Sequence, residues 1–256
     1  MVLIHNERIE DEIPVLNVAK KEAFAEELPT VIFLHGITSS KEQNLSYAYL
    51  LAELGYRTIL PDFPYHGERM ILETTDELQF RFWDIVLKGI AELKLVAGHY
   101  IGSGQTDESR IGVAGTSMGS ITMFGALTQY EWIKTAVSLM GTPCYEQFAT
   151  GMIDTLQKEG KRIPYTEAQI SEKLAALRPF DLSIHPGLLA ERPLLIWHGQ
   201  KDPIVPYSLT RKFYERVKEI ESINTSKVKM ITDPNAGHKV TRDACHATVR
   251  WFKSYL

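Results

Sequence analysis

Three residues far apart in the chain bring together a nucleophile, a base and an acid: Ser117, His238 and Asp202. A serine hydroxyl attacks poorly at neutral pH. It needs a neutral imidazole to take its proton, and the imidazole needs a carboxylate to fix its tautomer; such a set performs acyl transfer. Ser117 is singled out by its setting, Val113-Ala114-Gly115-Thr116-Ser117-Met118-Gly119-Ser120. A β-branched run ends just before it and a helical pattern starts just after it. So abrupt a turn holds the serine at strained φ/ψ and crowds the positions two residues away, where glycine is expected. A glycine-serine turn without chemistry is the plain alternative, and Gly-x-Ser-x-Gly alone does not exclude it.

Eight histidines compete for the base. His238 stands in Asp233-Pro234-Asn235-Ala236-Gly237-His238, between the last strand pattern and the last helix, at the sheet edge expected for Ser117. His35 and His198 also end strands and are its rivals, whereas His5, His99, His185 and His246 sit in poorer places. For the acid, Asp202 follows the strand Leu194 to Trp197, in Gln200-Lys201-Asp202-Pro203. Asp233 is the rival, although it serves equally well as a turn residue before Pro234. Asp107 precedes its strand and belongs to the opposite edge. The chain order Ser117, Asp202, His238 is the order found in triads at the carboxyl ends of a parallel sheet.

A developing oxyanion needs donors. The Met118 N–H, at a helix amino terminus, supplies one. The other is expected from Ile37 in His35-Gly36-Ile37-Thr38-Ser39-Ser40. The same loop also reads as an ordinary strand-to-helix link in which Ser39 or Ser40 caps the helix.

These residues require a sheet to position them. Short apolar runs at Thr30 to Leu34, Arg57 to Leu60, Arg110 to Ala114, Thr135 to Met140, Leu194 to Trp197 and Val228 to Thr232 predict strands buried on both faces. Helical patterns lie between or after them: Asn44 to Leu54, Asp76 to Ala97, Met118 to Tyr130, Ser208 to Ile220 and Asp243 to Tyr255. The alternation predicts an α/β fold, a mostly parallel sheet with helices on both faces. Ile13 to Val18 is expected to open one or two antiparallel edge strands. Residues 1–256 are expected to form a single domain with a helical cap inserted at about 141–192. Tyr145, Phe148, Met152, Ile153 and Leu156 form one apolar stripe of that insertion, and Ile170, Leu174 and Leu177 a second. The first stripe, through Phe148 and Met152, is expected to line an acyl pocket, with contact between two copies in a homodimer as its other use. Core packing against the body would explain the same stripes.

Composition narrows the classes. With 256 residues, 44% of them hydrophobic, and a net charge of −4, the chain has scattered basic residues and no field for a phosphate backbone. No nucleic acid partner is expected. The start, MVLIHNERIEDEIP, lacks a secretory signal and no run reaches bilayer length, so a cytoplasmic protein without a membrane partner is expected. Cys144 and Cys245 lack metal-ligand spacing and are expected to be reduced thiols. Gly102-Ser103-Gly104 precedes a strand instead of following one, against nucleotide binding. No metal or other cofactor is called for.

Together, HGITSSK at 35–41, PDFPYHGER at 61–69, DESRIGVAGTSMGS at 107–120, RPLLIWHGQKDPIVP at 192–206 and NAGH at 235–238 resemble the α/β-hydrolase superfamily. The likeness is to small bacterial serine esterases of the dienelactone hydrolase and prolyl oligopeptidase catalytic-domain group. It spans most of the chain and implies Ser117 as nucleophile, Asp202 as acid, His238 as base, and Ile37 and Met118 as oxyanion donors. Two departures concern substrate choice: Ile37-Thr38 stands where some lipases carry further glycines, and Ser120 replaces a glycine common after the turn. Tyr65 and His66 are expected at the pocket rim, where His66 serves either as a substrate contact or as a structural hydrogen bond. The expected activity is hydrolysis of small-molecule carboxylic esters with small to medium acyl groups. A peptidase, a thioesterase and an acyltransferase would use the same triad, and a non-catalytic binding protein on the same scaffold is the reading from another class.

Overall fold

A computed structural model describes residues 1–10, 12–71, 74–161 and 163–256. Eight strands, β1 (Val2–Ile9), β2 (Ile13–Lys20), β3 (Leu28–Leu34), β4 (Arg57–Pro61), β5 (Thr106–Thr116), β6 (Ile133–Leu139), β7 (Leu194–Gly199) and β8 (Val228–Asp233), form one sheet in the order β1-β2-β4-β3-β5-β6-β7-β8. β1 and β2 form an antiparallel hairpin, and β2 also runs antiparallel to β4; every other pairing is parallel. This is the α/β-hydrolase arrangement that the resemblance implied. The helices are α1 (Leu45–Glu53), α2 (Thr75–Phe80), α3 (Phe82–Gly102), α4 (Met118–Gln129), α5 (Tyr145–Lys158), α6 (Glu167–Leu177), α7 (Tyr207–Lys218) and α8 (Arg242–Tyr255).

Side chains alternate across a strand, so a strand that is apolar throughout feeds two cores. Ile32 and Leu34 of β3, Val113 of β5 and Ile196 of β7 pack with α3, α4 and α7. Their neighbours Val31, Phe33, Ala114 and Trp197 pack on the other face with α1 and α8. Each fully buried aliphatic side chain of this kind contributes about 1.5–3 kcal/mol. The parallel strands therefore hold their carboxyl ends along one edge, and the functional loops grow from that edge.

Several boundaries differ from expectation. The helical pattern expected over Asp76 to Ala97 is divided at Arg81, whose φ/ψ of −92°/1° end α2 before α3 begins. Its guanidinium lies over the Tyr65 ring, 5.0 Å from the centroid. α3 also runs on to Gly102 because its buried stripe continues through Tyr100. β5 starts four residues earlier than Arg110, with the exposed Asp107–Arg110 ion pair on its first part. Ser40 caps no helix; its hydroxyl bonds the Glu42 carboxylate at 2.6 Å. Between β6 and β7 lie α5 and α6, the two helices of the expected insertion. Among the described residues no helix is long and apolar enough to cross a membrane.

Candidate active site

Ser117 sits between β5 and α4 at φ 51° and ψ −116°. The two glycines are required by contact as well as by conformation. A Cβ on Gly115 would lie 2.2 Å from the Gly119 carbonyl carbon, and one on Gly119 would lie 2.2 Å from the Leu34 oxygen. The bend thus packs directly on the end of β3. Ser120, which stands where a glycine is common, is accommodated because Gly141 leaves room for it: a Cβ there would lie 2.4 Å from Ser120 Oγ, which bonds Ser138 Oγ at 2.6 Å.

His238 Nε2 lies 2.9 Å from Ser117 Oγ, and His238 Nδ1 lies 2.7 Å from Asp202 Oδ2. Three separate loops meet to make this chain of hydrogen bonds. The loops after β7 and β8 are stitched together by Lys201 N–H to Ala236 O at 3.0 Å and Gln200 N–H to Asp233 O at 2.8 Å. Gly199 permits the approach, since a Cβ there would lie 2.5 Å from Ala236 O. Asp233, the rival acid, accepts the N–H groups of Asn235 and Ala236 at 2.8 and 3.1 Å and so closes its own turn. Asp107 is held by Arg110 and Ser109 on the surface.

Four donors converge on Asp202. Oδ1 accepts the N–H groups of Ile204 and Val205, both at 2.9 Å. Oδ2 accepts His238 and lies 3.3 Å from His198 Nε2. Burial by itself would raise the Asp202 pKa, but the bonds from His198, His238, Val205 and Ile204 outweigh it and hold the carboxyl well below its usual range. Asp202 therefore remains a carboxylate whenever His238 is able to act. The sequence offers His198 only as a rival base. It is fully buried, and its Nε2–H is shared with the Val205 carbonyl at 3.0 Å.

The loop after β3 approaches from the other side. A Cβ on Gly36 would stand 3.4 Å from Ser117 Cβ. The Gly36 carbonyl accepts the Ser39 N–H at 3.2 Å and the His35 Nδ1–H at 2.8 Å. His35 Nε2 in turn accepts the Phe63 N–H at 3.1 Å, and burial lowers the ring's pKa to about 4. In a trans peptide the N–H points opposite to the C=O. The Ile37 N–H is thereby turned away from the His35 ring. Neither Ile37 N–H nor Met118 N–H, the first of α4, has an acceptor among the described residues.

The same loop ends in an ionic cluster that the sequence does not announce, with Lys41 and Asp62 buried and Glu68 exposed. Lys41 Nζ lies 2.7 Å from Asp62 Oδ2 and 2.8 Å from Glu68 Oε1, while Asp62 Oδ1 accepts the Lys41 N–H at 2.9 Å. Lys41, Asp62 and Glu68 lie in the segments 35–41 and 61–69, which end adjacent strands, and Glu42, Asn6 and Arg8 extend the cluster outward. The hydrogen bond from Lys41, followed by that from Asn6, lowers the Glu68 pKa from 4.5 to about 2. A carboxylate depressed in the folded state stabilises fully above its unfolded pKa, and that contribution is lost as pH falls through the folded value. The melting temperature should therefore fall between pH 4.5 and about 2. Glu68→Gln should flatten that slope in thermal melts across a pH series, and an unchanged slope would show that the pair carries none of it.

The remaining expected contacts are placed as follows. His66, expected at the rim, is fully buried, with Nδ1 2.8 Å from Pro64 O and Nε2 accepting the Thr38 N–H at 3.3 Å. Both nitrogens are thus engaged within the loop. Tyr65, at φ 63°, stacks against Arg81. Phe148 is buried with its ring 6.1 Å from Phe82 and 6.2 Å from Trp83. Met152 lines a cavity of about 440 Å³ between α2–α3 and α5–α6, together with Phe80, Trp83, Ile153, Leu156 and Leu174. Ser117, His238, Ile37 and Met118 are not among the residues that line it.

Residues 88–256 match the prolyl oligopeptidase family. Along the whole of both chains, the protein is 46% identical to "Putative esterase YitV" of Bacillus subtilis (strain 168). It is 30% identical to esterase YjfP of Escherichia coli (strain K12), again over the full length of both. The crystal structure of TT1662 from Thermus thermophilus superposes with a TM-score of 0.73 at 17% identity, covering 99% of this chain and 98% of that one.

Proposed function

Because the chain belongs to the prolyl oligopeptidase family and is an esterase-type α/β hydrolase, we propose that it cleaves carboxylic esters through an acyl-enzyme on Ser117. The observation that carries this reading is the continuous chain of hydrogen bonds Ser117 Oγ, His238, Asp202 at 2.9 and 2.7 Å. His238 Nδ1 donates to a carboxylate, so its Nε2 is a lone pair facing the hydroxyl. Ser117 Oγ attacks the ester carbonyl while Nε2 takes its proton. The oxyanion is received by the Ile37 and Met118 N–H groups, of which Met118 adds the positive end of α4. Collapse breaks the bond to the alcohol, which leaves with the proton from His238. Water then attacks the acyl-enzyme by the same route, releasing the acid and restoring Ser117.

The substrate is a small-molecule ester with a small to medium acyl group. The experiment is reaction with a fluorophosphonate followed by peptide mapping. The adduct is expected on Ser117 of the peptide spanning the bend; an adduct mapped to another residue would overturn the assignment.

A further inference from the structure

The turn Gly36–Ser39 holds two peptide groups by different means. The first, Gly36–Ile37, is fixed through its carbonyl by His35 and Ser39. The second, Ile37–Thr38, is fixed through its N–H by His66 Nε2 at 3.3 Å. That second anchor opposes a specific strain. Thr38 occupies the third position of the turn at φ 63°, a conformation that suits glycine or asparagine and is unfavourable for a β-branched residue. Flipping the Ile37–Thr38 peptide would return Thr38 to negative φ and relieve the strain, and Ile37 is the residue between the two anchors.

The chemistry of the His66 ring is suited to preventing that flip. A carbonyl only accepts, so the 2.8 Å contact with Pro64 O places the proton on Nδ1 and leaves Nε2 as a lone pair toward Thr38. Burial, the largest influence on the ring, lowers its pKa and keeps it neutral. The ring is fully buried and lies 5.0 Å from that of His35, so the two anchors pack side by side. Its backbone is tied in as well, by His66 N–H to Phe63 O at 3.1 Å and Arg69 N–H to His66 O at 2.8 Å. The acyl-transfer steps use neither ring nitrogen.

We infer that His66 is a positioning residue for the oxyanion hole: by accepting the Thr38 N–H it holds the strained turn that presents the Ile37 N–H to the developing oxyanion. The inference rests on the proposed acyl-enzyme reading. Removing the anchor lowers transition-state stabilisation and leaves ester binding nearly unchanged.

Two variants separate this from a packing role. His66→Asn keeps a donor near Pro64 O and loses the acceptor for Thr38, whereas His66→Gln extends an amide oxygen to that acceptor position. With p-nitrophenyl butyrate, His66→Asn should lower kcat by about 10- to 100-fold, with KM changed less than about threefold. A trifluoromethyl ketone, whose adduct on serine carries an oxyanion, should bind His66→Asn more weakly by a similar factor. His66→Gln should stay within about threefold of the wild type on both measures. Adding Thr38→Gly to His66→Asn should recover activity, since glycine takes that φ without strain. The inference is overturned if His66→Asn keeps its kcat, if both variants lose activity equally along with melting temperature, or if the loss lies in KM. A wild type that neither turns over the ester nor forms the Ser117 adduct would instead overturn the proposed function, and this inference with it.

Discussion

Ser117→Ala should lower kcat/KM for a p-nitrophenyl ester by about 10⁴- to 10⁶-fold. The change removes the atom that becomes acylated, and the neighbouring groups cannot replace it. His238 and the Ile37 and Met118 N–H groups remain, so a residual rate from water activated by the imidazole is expected. The protein should stay folded. Its loss on the native side is one hydrogen bond at 2.9 Å, a contribution of about 1 kcal/mol. The backbone strain at φ 51° and ψ −116° is kept by alanine and released by glycine, a difference of about 1–3 kcal/mol. Ser117→Gly should therefore melt above Ser117→Ala while being just as inactive. Steady-state kinetics with parallel calorimetry checks both parts. Activity within tenfold of the wild type in either variant would remove Ser117 from the chemistry.

The sheet was legible because its strands are apolar on both faces; Val31-Ile32-Phe33-Leu34 can be buried in no other way than between two layers of helices. Once the strands are parallel, their carboxyl ends share an edge, and the positions of Ser117, Asp202 and His238 along the chain place them together. The hairpin was harder to read. β1 exposes His5, Asn6 and Arg8, and the apolar run of β2 is interrupted by the buried Asn17, which bonds Arg57 and Glu7. The break at Arg81 was hidden because the apolar stripe of Leu78, Phe82 and Ile85 continues across it. Lys41 was missed for a different reason. A lysine in a polar loop reads as solvated, and only the adjacency of β3 and β4 brings Asp62 and Glu68 to it across 21 and 27 residues. The role of His66 lay in the same kind of pairing. The sequence leaves a substrate contact and a structural bond both open, and the structure supplies a bond from the Thr38 N–H.

Asp202→Asn should lower kcat by about 10³- to 10⁴-fold with little change in KM. The expectation follows from how the four donors are arranged. Ile204 and Val205 N–H groups, fixed in the backbone, both require an oxygen at the Oδ1 position. The asparagine must set its carbonyl there, which brings its NH₂ to the place of Oδ2, facing His238 Nδ1 and His198 Nε2. Facing a donor, His238 is driven to the tautomer with its proton on Nε2. That proton then points at Ser117 Oγ, and the imidazole no longer has a lone pair with which to accept from the hydroxyl. Fluorophosphonate labelling of Ser117 should slow by a similar factor, because the same proton transfer activates the attack. Asp233→Asn is the matched control. Its oxygen accepts the N–H groups of Asn235 and Ala236, which an amide oxygen also does, so kcat should change by less than about threefold. Equal losses at the two positions would mean that Asp202 serves only to close its loop, and the carboxylate that orients His238 would have to be sought elsewhere.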